Sequence, residues 1–425
     1  MGQLYDDLEW RGLVHSVTSP DLARLLDDEP LVAYIGFDPT SDSLTLGNLL
    51  QIVMLMRLQR GGHRPIALAG GGTGMIGDPG GKSEERQLLT MEQLKANLEA
   101  IRAQLERFLD FSPGGAQLVD NGDWLWSVKL LEFLRDIGKH FTVNTMIAKE
   151  SVKERLQNRE QGISYTEFSY MLLQAYDFLQ LYDNHGCRLQ LGASDQWGNI
   201  TMGVDLIRRL RGTQAYGLVT PLVLKADGTK FGKSESGNLW LDARRTSPYQ
   251  LYQAMVRVED QMVGQYLRYY TFLDHERIEE LDRSTEERPH LREAQRELAR
   301  QVTALVHGPE AAAGAERAAG VLFTEAIAEL DEPTLLDAMT EAPSVDIGHS
   351  ASLVEALVAA RLASSNGDAL RSLKGRGIYV NNVQQSADRA IGSGDLLHGR
   401  YVVLRKGKKD YALLRVAPEP ESSVR

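Results

Sequence analysis

The sequence predicts an α/β fold: a parallel-sheet domain, then an α-helical domain, then a small α+β unit. Three observations carry this. Up to about residue 225, short β-rich runs alternate with longer helical patterns, as strands joined by helical crossovers do. After Ser247-Pro248 the apolar residues recur at helical spacing almost throughout. From about Ala351, two short helical patterns precede a group of β-rich runs. In order, residues 31–37 read as a strand ending in Asp38-Pro39-Thr40, after which Ser43 or Thr45 caps a helix with Leu46, Leu49, Leu50, Val53 and Met54 on its apolar positions. A second strand over 65–69 empties into Gly70-Gly71-Gly72, and later strands are expected over 189–191 and 220–224, with helices over 90–108 and 165–181. The α-helical part carries helices over 249–256, 290–305 and 310–321. Pro333, Pro343 and Gly348 mark a linker. The last unit carries helices over 353–362 and 368–374 and strands over 377–381, 401–405 and 411–416.

At 425 residues the chain is long enough for two or three domains with a sizeable core. Cys187 is its only cysteine, which excludes an intramolecular disulfide and a Cys-rich metal site and points to a reducing cytoplasm. Asp6, Asp7 and Glu9 stand where a signal peptide needs a basic start, and the apolar run over 49–56 is too short to span a bilayer, so neither export nor membrane insertion is expected. The net charge of -11 argues against a nucleic-acid partner, but its distribution argues for one. Between Asn366 and Arg415 stand ten basic residues against four acidic, so this segment is +6 on a body of -17. A basic tail unit on an acidic body suggests a phosphate-binding surface.

Lys230-Phe231-Gly232-Lys233-Ser234, after a turn at Ala226-Asp227-Gly228-Thr229, sets two ammonium groups on a Gly-containing loop. Such a pair suits a polyphosphate whose charge builds up during reaction, although a lone pair of lysines is more often a solvated loop. Gly72-Thr73-Gly74-Met75-Ile76-Gly77 is a literal G-x-G-x-x-G after a strand, but Asp78-Pro79-Gly80-Gly81 breaks the chain where a dinucleotide-binding helix has to open. Gly77 to Ser83 approaches a phosphate loop, yet only three residues separate Gly77 from Gly81 where four are required. What survives is that backbone amides, Lys82 and Arg86 can face an anion. The bend at Asp38-Pro39-Thr40, followed by a helix start at Thr45-Leu46-Gly47-Asn48, is where an open α/β sheet binds nucleotide phosphates. Gly47 fits either close helix packing or close approach of an adenine or ribose. Tyr170, Gln174 and Asp177 share one helix face among Phe168, Met171, Leu172, Leu173 and Phe178, a semi-buried polar stripe suited to a small polar ligand rather than a wet surface. Asp195-Gln196-Trp197-Gly198-Asn199 concentrates hydrogen-bonding groups at a strand end.

Taken in order, Tyr34-Ile35-Gly36-Phe37-Asp38-Pro39-Thr40, Gly72 to Pro79, Tyr165-Thr166-Glu167-Phe168-Ser169-Tyr170, Ser194 to Asn199 and Lys230 to Ser234 resemble the bacterial tyrosyl-tRNA synthetases. The resemblance runs essentially end to end, and the basic tail is similar to an S4-type RNA-binding domain. It implies a Rossmann-like catalytic domain over 1–225 that includes a dimerisation insert, and a KMSKS-type loop and connection over 226–247. It further implies an α-helical anticodon-side domain over 248–328, a linker over 329–350 and an S4-like domain over 351–425. The implied activity has two steps: tyrosine and ATP give tyrosyl-adenylate and pyrophosphate, and the tyrosyl group then moves to the 3′ end of tRNA(Tyr). Lys230 and Lys233 match the lysines that close over pyrophosphate, Lys233 also touching ATP. Lys82 and Arg86 assist from the other side, and Thr40, Thr45 and Asn48 match the γ-phosphate end. Tyr34 and Asp177 match the pair that bonds the substrate phenol, while Tyr170, Asp78 and Gln174 bind its amino group and Gln196 belongs to the same side. Gly36, Asp38, Gly47, Asn48, Gly192 and Asp195 match nucleotide and ribose contacts. Arg371, Lys374, Arg405, Lys406, Lys408 and Lys409 are the candidates for RNA. Implied too are a homodimer and Mg²⁺ brought with ATP, with no dedicated protein ligands.

The departures from that family are local. Its first motif reads His-x-Gly-His, where this chain has Thr45-Leu46-Gly47-Asn48. Asn48 can donate from nearly the place of a histidine nitrogen, and the Thr45 hydroxyl can donate but is shorter and uncharged. Ala193 stands in place of a glycine, and Ser364-Ser365-Asn366-Gly367 replaces a more basic helix start. Two alternatives follow, a catalytically impaired RNA-binding paralogue and an inhibitor-tolerant second synthetase. Tryptophan specificity is disfavoured because an indole leaves Asp177 poorly matched.

Overall fold

The computed structural model describes residues 4–78, 89–157, 162–234, 237–322, 324–340, 342–348, 351–407 and 410–417. Its contacts divide the chain into two compact units, one of residues 1–246 with 258–294 and one of residues 247–257 with 295–425.

The first unit is built on a six-stranded sheet of β1 (Ser16–Val17), β2 (Val32–Phe37), β3 (Arg64–Ala69), β4 (Gln117–Asp120), β5 (Cys187–Ala193) and β6 (Tyr216–Thr220). Its spatial order is β1-β6-β5-β2-β3-β4, parallel except for the β1–β6 edge pair. Central strands buried on both faces explain the unbroken apolar run Ile66-Ala67-Leu68-Ala69. The chain leaves β2 for β3 on one side and later returns to β5 on the other. That reversal opens a crevice beyond the carboxyl ends of β2 and β5, where such sheets bind ligands.

Four helices position the crevice walls: α1 (Leu46–Arg60), α2 (Met91–Leu105), α3 (Tyr165–His185) and α4 (Trp197–Arg211). Helix α3 ends at Gly186 and α4 at Gly212, both left-handed, the usual glycine stop. The strand expected over 220–224 lies earlier, at Tyr216–Thr220. Pro221 cannot donate to a ladder, so the apolar run beyond it leaves the sheet. The short strand β4 had no counterpart in the sequence reading. Its four residues give neither alternation nor a long apolar run.

The glycine run after β3 packs closely against the end of β4. Gly71 N–H donates to Asp120 Oδ1 at 3.1 Å, and a side chain at Gly71 would collide with that carboxylate. Within this run only Thr73–Met75 is helical, a single 3₁₀ turn.

In the second unit, helices Pro248–Val256, Glu293–His307 and Pro309–Val321 stand where helical spacing places them. The stretch read as a linker instead carries a helix, Glu332–Ala338, and a strand, Ser344–Ile347. That strand pairs in parallel with Asp410–Val416 at the edge of a five-stranded sheet. Proline at the helix start and the partner strand far along the chain explain why this stretch reads as loop locally.

Candidate active site

Residues from the ends of β2, β3, β4, β5 and β6, from α1 and α3, and from the loop after β6 line one cavity of about 410 Å³. It gathers Tyr34, Gly36, Asp38, Thr40, Thr45, Gly47, Asn48, Asp78, Tyr170, Gln174, Asp177, Gly192, Asp195, Gln196 and Lys230, brought together from distant parts of the chain. Lys82 and Arg86 lie outside the described residues, as does the side chain of Lys233, whose backbone begins a two-residue strand.

At one end is a buried polar cluster. The Tyr34 ring packs against Phe178, and its hydroxyl is buried with no hydrogen-bond partner among the described residues. Asp177 is 2% exposed, and each of its oxygens accepts one N–H: Oδ1 from Trp124 Nε1 at 2.7 Å, Oδ2 from Asn121 Nδ2 at 2.9 Å. Burial pushes the Asp177 carboxyl up to about 8, against the lowering effect of those two bonds, with Asp38 and Asp120 adding to the rise. Burial, then the Asp177 charge, hold the Tyr34 phenol well above its usual range. Tyr170 OH donates to Asp38 Oδ2 at 2.8 Å, and Thr73 Oγ1 donates to Asp38 Oδ1 at 2.8 Å. Asp38, matched to nucleotide contacts on the resemblance, therefore also braces Tyr170. Gln196 Nε2 donates to Asp78 Oδ2 at 2.5 Å, and Asn199 Nδ2 reaches both Gln174 Oε1 and Gln196 Oε1.

Asp177 yields a signed pH dependence. Its folded value lies above the ordinary 3.8, so between about pH 4 and about pH 8 the folded chain keeps a proton the unfolded chain has lost. This contribution to stability is full below that window and is lost as pH rises through about 8. Thermal melts of Asp177→Asn should accordingly show a flatter decline in stability across this window than the parent chain.

At the other end, the helix start and the lysine loop are tied together. Leu46 N–H donates to Leu239 O at 2.8 Å, and Leu239 N–H to Gly232 O at 2.8 Å. Gly232 has φ +90°, and a Cβ there would stand 3.3 Å from Leu46 Cβ and 3.4 Å from Gly47 N, so both the turn and the close approach require glycine. Phe231 packs on Tyr266 with ring centroids 4.3 Å apart. Burial raises the Asp195 carboxyl while Lys230 lowers it, placing that ammonium in the field of the β5 end.

The first-motif residues depart from the sequence expectation. Thr45 Oγ1 donates to Asn48 Oδ1 at 2.8 Å, and Thr45 N–H donates to the same oxygen at 3.0 Å. A hydroxyl has one proton, so Thr45 is not a free donor to the cavity as its position suggested. Sequence reasoning also missed Thr73, Asn121, Trp124 and Asn199, whose side chains orient the others. For Asn121 and Trp124 there was no local signal, because the strand that precedes them, Gln117–Asp120, is itself not marked in the sequence.

In the second unit, Arg371 and Lys374 are exposed at the end of helix Asn366–Lys374. The Arg405 guanidinium lies 3.6 Å from the Tyr379 ring centroid, and Lys406 pairs with Asp368 at 3.1 Å. Lys408 and Lys409 lie outside the described residues.

A nucleotide-type crevice at a strand-order reversal, a paired-lysine loop on one rim and a buried phenol-carboxylate pair on the other define a class I aminoacyl-tRNA synthetase. Residues 26–324 match the family described as "tRNA synthetases class I (W and Y)", and residues 335–414 the "Tyrosine--tRNA ligase SYY-like C-terminal domain". The chain is 53% identical over 98% of its length to the Tyrosine--tRNA ligase of Roseiflexus castenholzii, covering 100% of that protein. It is 50% identical over 97% of its length to that of Bacillus caldotenax, also covering 100% of it. A C-terminally truncated mitochondrial tyrosyl-tRNA synthetase of Aspergillus nidulans matches with a TM-score of 0.68 at 30% identity, over 76% of this chain and 95% of that one. The chain belongs to the tyrosine--tRNA ligase family, and its activity is that of an aminoacyl-tRNA ligase acting on tyrosine.

Proposed function

We propose that the cavity holds L-tyrosine with its phenol between Tyr34 and Asp177 and ATP along the β2–β5 crevice toward Thr40, Asn48 and Lys230. The observation that carries this reading is the buried Tyr34 hydroxyl with no partner, near a carboxyl that keeps accepting capacity. A substrate phenol satisfies both, donating to Asp177 and accepting from Tyr34. Asp78, Tyr170 and Gln174 take its ammonium group, with Gln196 bracing Asp78. Gly36, Asp38, Gly47, Gly192 and Asp195 take the nucleoside. A tyrosine carboxylate oxygen then bonds to the α-phosphorus, the bridging P–O bond breaks, and pyrophosphate leaves with the electron pair. No protein nucleophile takes part. The chain contributes alignment and positive charge, from Lys230, Lys233, Lys82 and Arg86, where negative charge accumulates. A hydroxyl at the tRNA(Tyr) 3′ end then bonds to the tyrosyl carbonyl carbon, losing its proton, as the anhydride C–O bond breaks and AMP leaves.

Mg²⁺ is proposed to come with the ATP phosphates, and no step is assigned to it. In the second unit Arg371, Lys374, Arg405, Lys406, Lys408 and Lys409 bind tRNA phosphates. No described helix is long and apolar enough to cross a membrane, and the cytoplasm is the proposed location. The chain acts as a homodimer through an exposed apolar patch, where Leu130 is 70% and Leu131 79% exposed and Trp126 and Leu130 line one shallow groove. Leu131→Asp is expected to shift the sedimenting species from dimer to monomer at micromolar concentration. L-tyrosine-dependent ATP–pyrophosphate exchange tests the activity reading, and no exchange from folded protein would overturn it.

A further inference from the structure

The corner at Thr45–Asn48 is built differently from a pair of independent phosphate donors. Asn48 Oδ1 receives the Thr45 backbone N–H at 3.0 Å and the Thr45 hydroxyl at 2.8 Å, while Asn48 N–H donates back to Thr45 O at 2.9 Å. An atom that accepts two donors is the amide oxygen, so the Asn48 amide has one orientation, with Nδ2 turned away from Thr45. Thr45 and Asn48 both line the cavity that Lys230 also lines. Between them Gly47 is exposed, and a Cβ there would stand 3.4 Å from Thr45 Oγ1, against the same corner.

We infer that Thr45 is a positioning residue that acts through Asn48, locking its amide so that the Nδ2 protons alone are presented to the ATP polyphosphate. This rests on the reading that this end of the cavity takes the phosphates. Donation into Oδ1 also polarises the amide and strengthens Nδ2–H as a donor. The two positions therefore form one hydroxyl-amide unit. Losing the hydroxyl leaves the Thr45 backbone N–H as the only orienting bond, so the amide spends part of its time rotated or misaligned.

Pyrophosphate exchange kinetics on the full-length chain separate the possibilities, with tyrosine binding by equilibrium dialysis as the check that the site is folded. Thr45→Val should lower kcat/KM for ATP about fivefold, the worth of one ordinary hydrogen bond, with tyrosine affinity unchanged. Thr45→Ser, which keeps the hydroxyl, should stay within about twofold of the parent. Asn48→Ala should cost more than Thr45→Val, and adding Thr45→Val to it should cost nothing further. If the double variant instead multiplies the two losses, or Thr45→Ser fails to rescue, Thr45 acts on its own and the inference is wrong. If Asn48→Ala leaves exchange unchanged, the phosphate reading of this end falls and the inference with it. Should Thr45→Val not fold, Thr45→Ala with and without Asn48→Ala supplies the same cycle: a loss from Thr45→Ala that disappears in the Asn48→Ala background supports the inference, and two losses that multiply overturn it.

Discussion

Asp177→Asn is expected to lower kcat/KM for tyrosine in pyrophosphate exchange by about 100-fold, since a buried polar group left without its partner costs up to about 3 kcal/mol. The reason lies in the partners as much as the substrate. Each Asp177 oxygen already faces an N–H, from Trp124 or from Asn121. An asparagine must turn its own NH₂ toward one of them, setting donor against donor in a dry site. KM for ATP should change far less, because the nucleotide end is held by other residues. Steady-state exchange at varied tyrosine checks this, and a loss confined to ATP would place Asp177 outside the phenol site.

Lys230→Ala should lower the rate of tyrosine activation by about 100-fold, the usual cost of removing one preorganised charge from a developing anion. Tyrosine affinity should stay at its parent value. The effect is expected in the activation rate because Lys230 lines the cavity and negative charge accumulates on the leaving pyrophosphate. With no histidine at position 45 or 48, we propose that the loop lysines carry a larger share of that charge in this chain. Restoring both histidines in the Lys230→Ala background should recover part of the rate, as read by single-turnover adenylate formation. An unchanged rate would mean the loop charge and the first motif work independently.

What the sequence made legible follows from how local each feature is. Tyr170, Gln174 and Asp177 could be grouped because helical spacing alone puts them on one face, and α3 carries all three. The lysine loop could be found because phosphate chemistry needs cations on a chain that bends, which Gly232 supplies. Asn121 and Trp124 could not, because their partner Asp177 stands 56 and 53 residues away and only the packing of β4 beside β3 brings them near. Thr45 lines the cavity, but the direction of one hydroxyl proton is a rotamer choice no pattern encodes. The misplaced strand end at Thr220 and the presumed linker have one cause: local composition gives turns and apolar runs, while strand pairing is decided by a partner elsewhere.

The selectivity of activation for tyrosine over phenylalanine, compared between the parent chain and Tyr34→Phe, tests most directly whether the buried phenol pair reads the substrate hydroxyl. Tyr34 lies on β2 with its hydroxyl unpartnered, so the change removes one donor without disturbing another bond. The account predicts that kcat/KM for tyrosine falls about fivefold to tenfold while that for phenylalanine holds or rises, narrowing the ratio. An equal fall for both amino acids, or an unchanged ratio, would contradict it.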